Sequence, residues 1–186
     1  MLKELLEKTR SYRRFDENRA ISCEDMRAIA ESVRLCPSAA NLQRVRVAIV
    51  NSEEQNERVF ATLSFAAYLK DWGGPAVGER PTAYAVLMTE REPDVNLGID
   101  IGIASEAMLL TAREMGIGGC IFRSFKPDVL SDILGKDGYV PVLVIAFGYP
   151  AEEVIIEDVK DGNIRYYRDG AGVHHVPKLS LDEIII

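Results

Sequence analysis

Residues 97–120 read LGIDIGIASEAMLLTAREMGIGGC, and this stretch decides the fold. Its first part, 97–115, is expected to be the longest helix of the chain. Ile101, Ala104, Met108 and Met115 fall on one side of it, and Ile99, Ile103 and Leu110 on others. A helix that is apolar nearly all round is buried nearly all round. In a chain of 186 residues, such burial implies that a second subunit supplies part of the cover. The glycines of GIGGC stop the helix and lead into a short strand around Cys120–Phe122.

Outward from this helix, the periodicity alternates between helix and strand. Residues 2–9 form a short helix with Leu2, Leu5 and Leu6 on one face. A second helix starts at Ser22, an N-cap with Asp25 three residues on, carries Met26, Ile29, Ala30 and Val33, and stops at Pro37. The strand VRVAIVN (45–51) follows a small polar loop. A third helix opens at Ser52 with Gln55 and runs to about Tyr68. A long Gly/Pro-rich loop covers 71–81, and TAYAVLM (82–88) is a strand. Pro127 opens a helix over 127–134, and the continuous apolar run 140–150 is a central strand. Beyond Pro150 the composition changes. A hairpin centres on Asp169-Gly170, and SLDEIII ends the chain as a helix turn or extended tail. The whole of 1–186 reads as one α+β domain, with 151–186 a C-terminal extension.

Composition bounds the function. Hydrophobic residues make up 47% and charged residues 27%, as in soluble globular proteins. The net charge of -7 argues against a general nucleic-acid binder. No uninterrupted apolar run reaches bilayer length, so no membrane partner is expected. Cys23, Cys36 and Cys120 are an odd count without C-x-x-C spacing, which disfavours a disulfide framework and fits a reducing cytoplasm.

Against that acidic total, KTRSYRRF (8–15) gathers Lys8, Arg10, Arg13 and Arg14. Such a cluster repels itself unless it meets an anion, and a small anionic ligand fits better than a polyanion. Guanidinium forks match phosphate oxygens, and the Ser11 hydroxyl adds a donor. One anion can engage both Arg10 and Arg13 only if the segment turns, because extended side chains alternate. A solvated basic loop is the alternative. In CPSAANLQ, Ser38, Asn41 and Gln43 are hydrogen-bonding groups among alanines too small to block a planar ligand. GIGGCIFRSF (116–125) permits close backbone approach. It is not a dinucleotide fingerprint, since Ile121 stands where the last glycine belongs and the glycines follow a helix. His174 and His175 face opposite ways on a strand, so no metal site is expected. Cys120 reads as a small buried hydrophobe. Trp72 and Tyr68 could line a pocket or simply pack in the core.

Taken in order, these segments resemble the nitroreductase family of FMN-dependent oxidoreductases. RSYRRF resembles that family's R-S-x-R-x-[FY], and PSAANLQ its P-S-x-x-N-x-Q loop. IGIASEAMLLTAREMGIGGC resembles its long helix and Gly turn, VLVIAFGYP its last core strand, and VPKLSLDEII its C-terminal basic motif. The resemblance implies a mostly antiparallel sheet flanked by helices, in a homodimer that exchanges C-terminal arms. FMN would lie in two clefts lined by both chains. By the motif, Arg10, Ser11 and Arg13 hold the phosphate and ribityl chain, with Arg13 reaching the pyrimidine edge, and Lys178 is a further phosphate contact. Pro37, Ser38, Ala39 and Asn41 lie against the flavin. The backbone N–H of Ser124 faces flavin N5, with Arg123 just before it.

The resemblance also implies the chemistry. A hydride passes from NAD(P)H to the flavin, and two electrons then pass to an electron-poor acceptor, nitroaromatic or quinone, in ping-pong order. Thr9, the sequence NLQRV and the single basic residue Lys178 depart from the family pattern of Arg, N-x-Q-P-W and Arg with Lys. Two alternatives stay open: a flavin-binding or sensing protein without turnover, and the same site used for dehalogenation or substrate dehydrogenation.

Overall fold

The computed structural model describes residues 2–66, 68–69, 71–90 and 93–186. Its body is a four-stranded sheet. The strands are β1 (Arg46–Val50), β2 (Ala83–Thr89), β3 (Gly118–Phe122) and β4 (Val140–Gly148). They lie in the order β1-β2-β4-β3, and each neighbouring pair is antiparallel, as expected. β2 is buried along its whole length and β4 along all but its first residue. Both therefore read as continuous apolar runs, the signature of strands covered on two faces.

Strand alternation divides the core. Ala83, Ala85, Leu87, Leu143, Ile145 and Phe147 point to one face, where they meet Met26 and Ile29 of α2 (Cys23–Leu35) and Leu97 and Met108 of α4 (Val95–Glu114). Tyr84, Val86, Met88, Val144 and Ala146 point to the other, against Val59 of α3 (Glu53–Phe60) and Leu130 of α5 (Pro127–Leu134). A bulge between Leu87 and Met88 lies where β2 passes Pro141, a residue with no N–H to give the ladder.

The expected elements recur with adjusted ends. α1 covers Leu2–Lys8. At α2 the Ser22 hydroxyl accepts from the Asp25 N–H at 3.0 Å, as the capping pattern requires. α4 begins earlier than expected, because the Asp94 carboxylate accepts from the Leu97 N–H at 2.8 Å. By length and composition this helix could cross a bilayer. Asp100, Glu106 and Arg113 interrupt it, and seven of its residues, Asp100 and Ser105 among them, are buried in the protein.

One helix is much shorter than its sequence suggests. α3 stops at Phe60 and does not continue to Tyr68; Ala67 lies outside the described residues. The Thr62 N–H and hydroxyl both return to the Val59 carbonyl, at 2.9 and 2.7 Å. Leu63 then bridges to Phe125, and the Ser64 N–H donates to the Ser124 carbonyl at 2.9 Å. Pairing with the segment after β3 displaces local helix propensity.

Past Pro150 the chain builds a second, three-stranded sheet from β5 (Val154–Asp158), β6 (Tyr167–Arg168) and β7 (His174–Lys178), in the order β5-β7-β6. β6 and β7 form the expected hairpin, its turn tied by Asp169 Oδ1 accepting from Ala171 and Val173. β5, parallel to β7, is an element that the sequence did not suggest. A capped turn, α6 (Leu181–Ile184), follows.

The N-terminal segment lies across the body as an extended strap. Ser11 bridges to Gly119, and Phe15 bridges to Pro150. Phe15 is 1% exposed, and its ring occupies the space over Gly148, where a Cβ would approach it to 2.6 Å. Gly148→Ala is expected to lower the unfolding free energy by about 1–3 kcal/mol, read as a lower urea midpoint with an unchanged slope.

Candidate functional site

The four cations of the strap have different fates. Lys8 pairs with Glu4 at 2.7 Å, and Arg14 with Glu79 at 3.3 Å. Arg10 donates from Nη2 to the Leu6 carbonyl at 2.7 Å, and its Nε is buried without a partner. Arg13 donates from Nη1 to the Ser11 carbonyl at 3.3 Å. Among the described residues, no carboxylate meets the guanidinium of Arg10 or Arg13. The chain also turns between them, because the Tyr12 N–H donates to the Arg10 carbonyl at 2.9 Å, a three-residue turn centred on Ser11. This meets the condition for one anion to engage both arginines.

The C-terminal sheet holds this segment in place. The Glu152 side chain is 2% exposed. Its Oε1 accepts from the backbone N–H groups of Arg13 and Arg14, and its Oε2 from Arg168 Nη2 at 2.7 Å. Arg13 packs over the Tyr166 ring at 4.8 Å, and its Nη1 lies 3.1 Å from His174 Nε2. Trp72 is a packing residue: Arg168 stacks on it at 4.8 Å, and Phe65 meets it edge-on at 6.0 Å. Tyr68 packs against Tyr166 at 5.0 Å. Lys178 lies on the His174 face of β7, four residues on, or ~13 Å along the strand.

The two histidines have opposite surroundings. His174 is 1% exposed. Burial, then the Arg13 charge, push its imidazole down to about 4. His175 faces away, with Nδ1 3.1 Å from Glu157 and Nε2 3.3 Å from Asp169. Burial alone would lower its pKa, but these two carboxylates outweigh that and raise it. The rings point to opposite sides, so one ion cannot be shared between them. Cys120 is buried, and burial pushes its thiol up to about 11, as a packed hydrophobe requires.

The second group of motif residues lies elsewhere. Pro37, Ser38, Ala39 and Asn41 form a loop against the start of α4, where the Ala39 N–H donates to Asp100 Oδ1 at 2.9 Å. Ala40, Asn41 and Gln43 hold φ of 50°, 55° and 49°. Three non-glycine residues in the left-handed region mark a loop held against its own preference, a feature common at ligand sites. Gln43 donates its N–H to the Ser38 hydroxyl at 3.1 Å, which sustains the shape. A cavity of 280 Å³ lies beside this loop, lined in part by Pro37, Ser38 and Asp100.

Asp100 marks the loop end of α4, and Arg113, stacked over Tyr12 at 5.6 Å, marks the strap end. Thirteen residues of helix separate them, ~20 Å. A single chain thus brings Arg10, Ser11 and Arg13 together, but leaves Pro37–Asn41 far from them. Arg123 and Ser124 follow β3 and are exposed. The Ser124 carbonyl accepts from Ser64, while its N–H makes no backbone bond among the described residues. A cavity of 390 Å³ between α3 and β2 touches none of the motif residues. The unpaired Tyr84 hydroxyl and Asn56 Oδ1 beside it suit ordered water.

The profile of the nitroreductase family matches residues 6–149. The chain belongs to the nitroreductase family. It is 28% identical over 185 residues to YdgI of Bacillus subtilis (strain 168), whose name is that of an NAD(P)H nitroreductase. That alignment covers 81% of this chain and 88% of the relative. The nitroreductase family protein from Streptococcus pneumoniae TIGR4 superposes with a TM-score of 0.68 at 18% identity, covering 100% of this chain and 99% of that one. The FMN-dependent nitroreductase NfnB from Mycobacterium smegmatis, solved in complex with NADPH, superposes with a TM-score of 0.65 at 20% identity, covering 81% and 87%.

Glu152, Tyr166 and His174 were not singled out from the sequence as parts of this site. In the sequence Glu152 is one of a Glu pair after Pro150 and His174 one of a His pair, and neither carries a periodic signal.

Two outcomes follow from this geometry. Glu152→Ala leaves the Arg168 guanidinium without its carboxylate and is expected to cost about 3–5 kcal/mol, measured by chemical denaturation. The histidines give pH dependence of opposite sign. Unfolded His174 takes a proton below ~6.5, whereas folded His174 resists it until about 4. Its contribution to stability is therefore lost as pH falls through that window. The His175 contribution is complete below ~6.5 and lost as pH rises through its raised value. His174→Gln is expected to flatten the acid limb of a stability–pH curve, and His175→Gln the alkaline limb.

Proposed function

We propose that the chain is an FMN-dependent oxidoreductase that uses NAD(P)H to reduce an electron-poor small molecule such as a nitroaromatic or a quinone. The observation that carries this reading is the pair Arg10 and Arg13. Their guanidinium groups flank a turn at the exposed Ser11, and among the described residues no carboxylate contacts either one. Uncompensated guanidinium groups are the donors an anionic flavin requires: Arg10, with its unpaired buried Nε, suits the phosphate, and Arg13 the ring end. When bound, FMN supplies two-electron chemistry, taking a hydride from NAD(P)H and returning two electrons to the acceptor in ping-pong order.

The protein's part is binding and electrostatics. Arg10, Ser11 and Lys178 hold the phosphate and ribityl chain. Arg13 places a positive charge at the pyrimidine end, where negative charge gathers on reduction. The free N–H of Ser124 orients N5, with Arg123 beside it. Pro37, Ser38, Ala39 and Asn41 form the wall against the ring. No side-chain nucleophile takes part. The expected partners are a second copy and small molecules, and the expected compartment is the cytoplasm.

The wall is proposed to come from a second copy, a reading supported by the ~20 Å of helix that separates it from the strap of its own chain. Two antiparallel copies of α4 would exchange ends and bring each loop to the other's strap, which is the geometry of a two-fold dimer. The outer face of α4 suits this contact. Val95, Ile99 and Ile103 are 82%, 57% and 37% exposed, and nothing lies within 4 Å of a Cβ at Gly98 or Gly102. Residues 151–186, as the extension of a single domain, are proposed to reach the partner as well as their own strap.

The test is the absorbance spectrum of the purified protein, soaked in FMN, before and after anaerobic NADH or NADPH. Flavin bands that bleach are expected; a protein that takes up no FMN would remove the reading. Arg13→Ala is expected to weaken FMN retention on gel filtration. Ile103→Glu is expected to give monomers that retain no flavin, whereas flavin-loaded monomers would reject the two-chain cleft.

A further inference from the structure

The Arg13 guanidinium is held on two sides by residues that carry no charge. Tyr166 covers one face at 4.8 Å, and His174 meets Nη1 at 3.1 Å. A guanidinium only donates, so in this contact His174 Nε2 presents its lone pair and the ring proton sits on Nδ1, which is buried without a partner among the described residues. The contact itself therefore fixes His174 as neutral. The acid closest to this contact, Glu152, is committed to the Arg13 and Arg14 backbone and to Arg168. Tyr166 and His174 also pack on each other, with ring centroids 5.3 Å apart, so they form one wall behind the arginine.

We infer that His174 and Tyr166 are positioning residues that fix the Arg13 guanidinium without neutralising it, so that its full charge acts on the pyrimidine end of the bound flavin. This rests on the FMN reading above. A carboxylate at position 174 would hold the guanidinium at least as firmly, but would cancel the field it exerts. A neutral acceptor orients and leaves the charge intact. The depressed protonation of His174, driven by burial and by Arg13, keeps the acceptor neutral across the working range of pH. Arg168 on β6 and His175 on β7 add to that depression, and Glu152 opposes it.

The test is the FMN dissociation constant and the flavin midpoint potential of reconstituted wild type, His174→Gln and His174→Glu. His174→Gln keeps a neutral acceptor and is expected to match wild type within about twofold in affinity. His174→Glu is expected to bind reduced FMN at least about tenfold less well relative to oxidised FMN, a potential lowered by ~30 mV or more for two electrons. Wild-type potential in His174→Glu would overturn the inference, as would equal damage in His174→Gln, which would mark a packing role. Should His174→Glu fail to fold, His174→Leu removes the acceptor at similar volume. It is expected to weaken FMN binding about tenfold, and unchanged affinity would overturn the inference. A wild-type chain that takes up no FMN would overturn the flavin reading and this inference with it. A wild type that binds FMN beside an unaffected His174→Glu would overturn this inference alone.

Discussion

The basic strap and the sheet behind it depend on one carboxylate. Glu152 stands two residues past the bridge between Phe15 and Pro150, where the chain leaves the body for the second sheet. Its oxygens bind the backbone of the strap on one side and Arg168 of the hairpin on the other. A buried carboxylate must be matched by donors, and these donors come from parts of the chain far apart in sequence. The charge requirement of a single group thus places the strap and the C-terminal sheet relative to each other. Phe15, seated over Gly148, sets the height of the strap above the sheet. Glu152 sets its position along the edge.

Within that frame the basic cluster is sorted by its neighbours. Lys8 and Arg14 meet acids and serve structure. Arg10 and Arg13 meet carbonyls, an aromatic face and an imidazole, and keep their charge. In a chain of net charge -7, acids are plentiful enough to have covered all four. Among the described residues none contacts the guanidinium of Arg10 or Arg13, and on this the proposal of an external anion rests.

The body of the fold was legible because its signals are local. The apolar runs at 83–89 and 140–148, the Ser22 cap and Pro127 all act within a few residues of themselves. Where contacts between distant segments decide, the sequence misled or said nothing. α3 is shorter than its pattern because Leu63 and Ser64 find partners at Phe125 and Ser124. β5 was missed because Val154–Asp158 becomes a strand only beside β7. Of the site, Arg10, Ser11 and Arg13 were visible as a cluster and by family resemblance. Their support was not, because a His behind an arginine and a Glu under a strap leave no periodic trace. The apolar breadth of the central helix was visible, but the single chain does not bury it all round: Val95, Ile99 and Ile103 stay exposed.

The strap and the residues that hold it lie far apart along the chain. Glu152 lies 139 residues after Arg13, and His174 lies 161 after it. Contacts of such separation pay the loop-closure entropy of nearly the whole chain before they return any stability. The four-stranded body is complete by Gly148, but the wall behind Arg13 comes from Tyr166 and His174. The geometry around Arg13 is therefore completed only when residues 152–174 have joined the body. A copy cut after Gly148 would keep all four strands of its body and lose Glu152, Tyr166 and His174, the residues that hold Arg13.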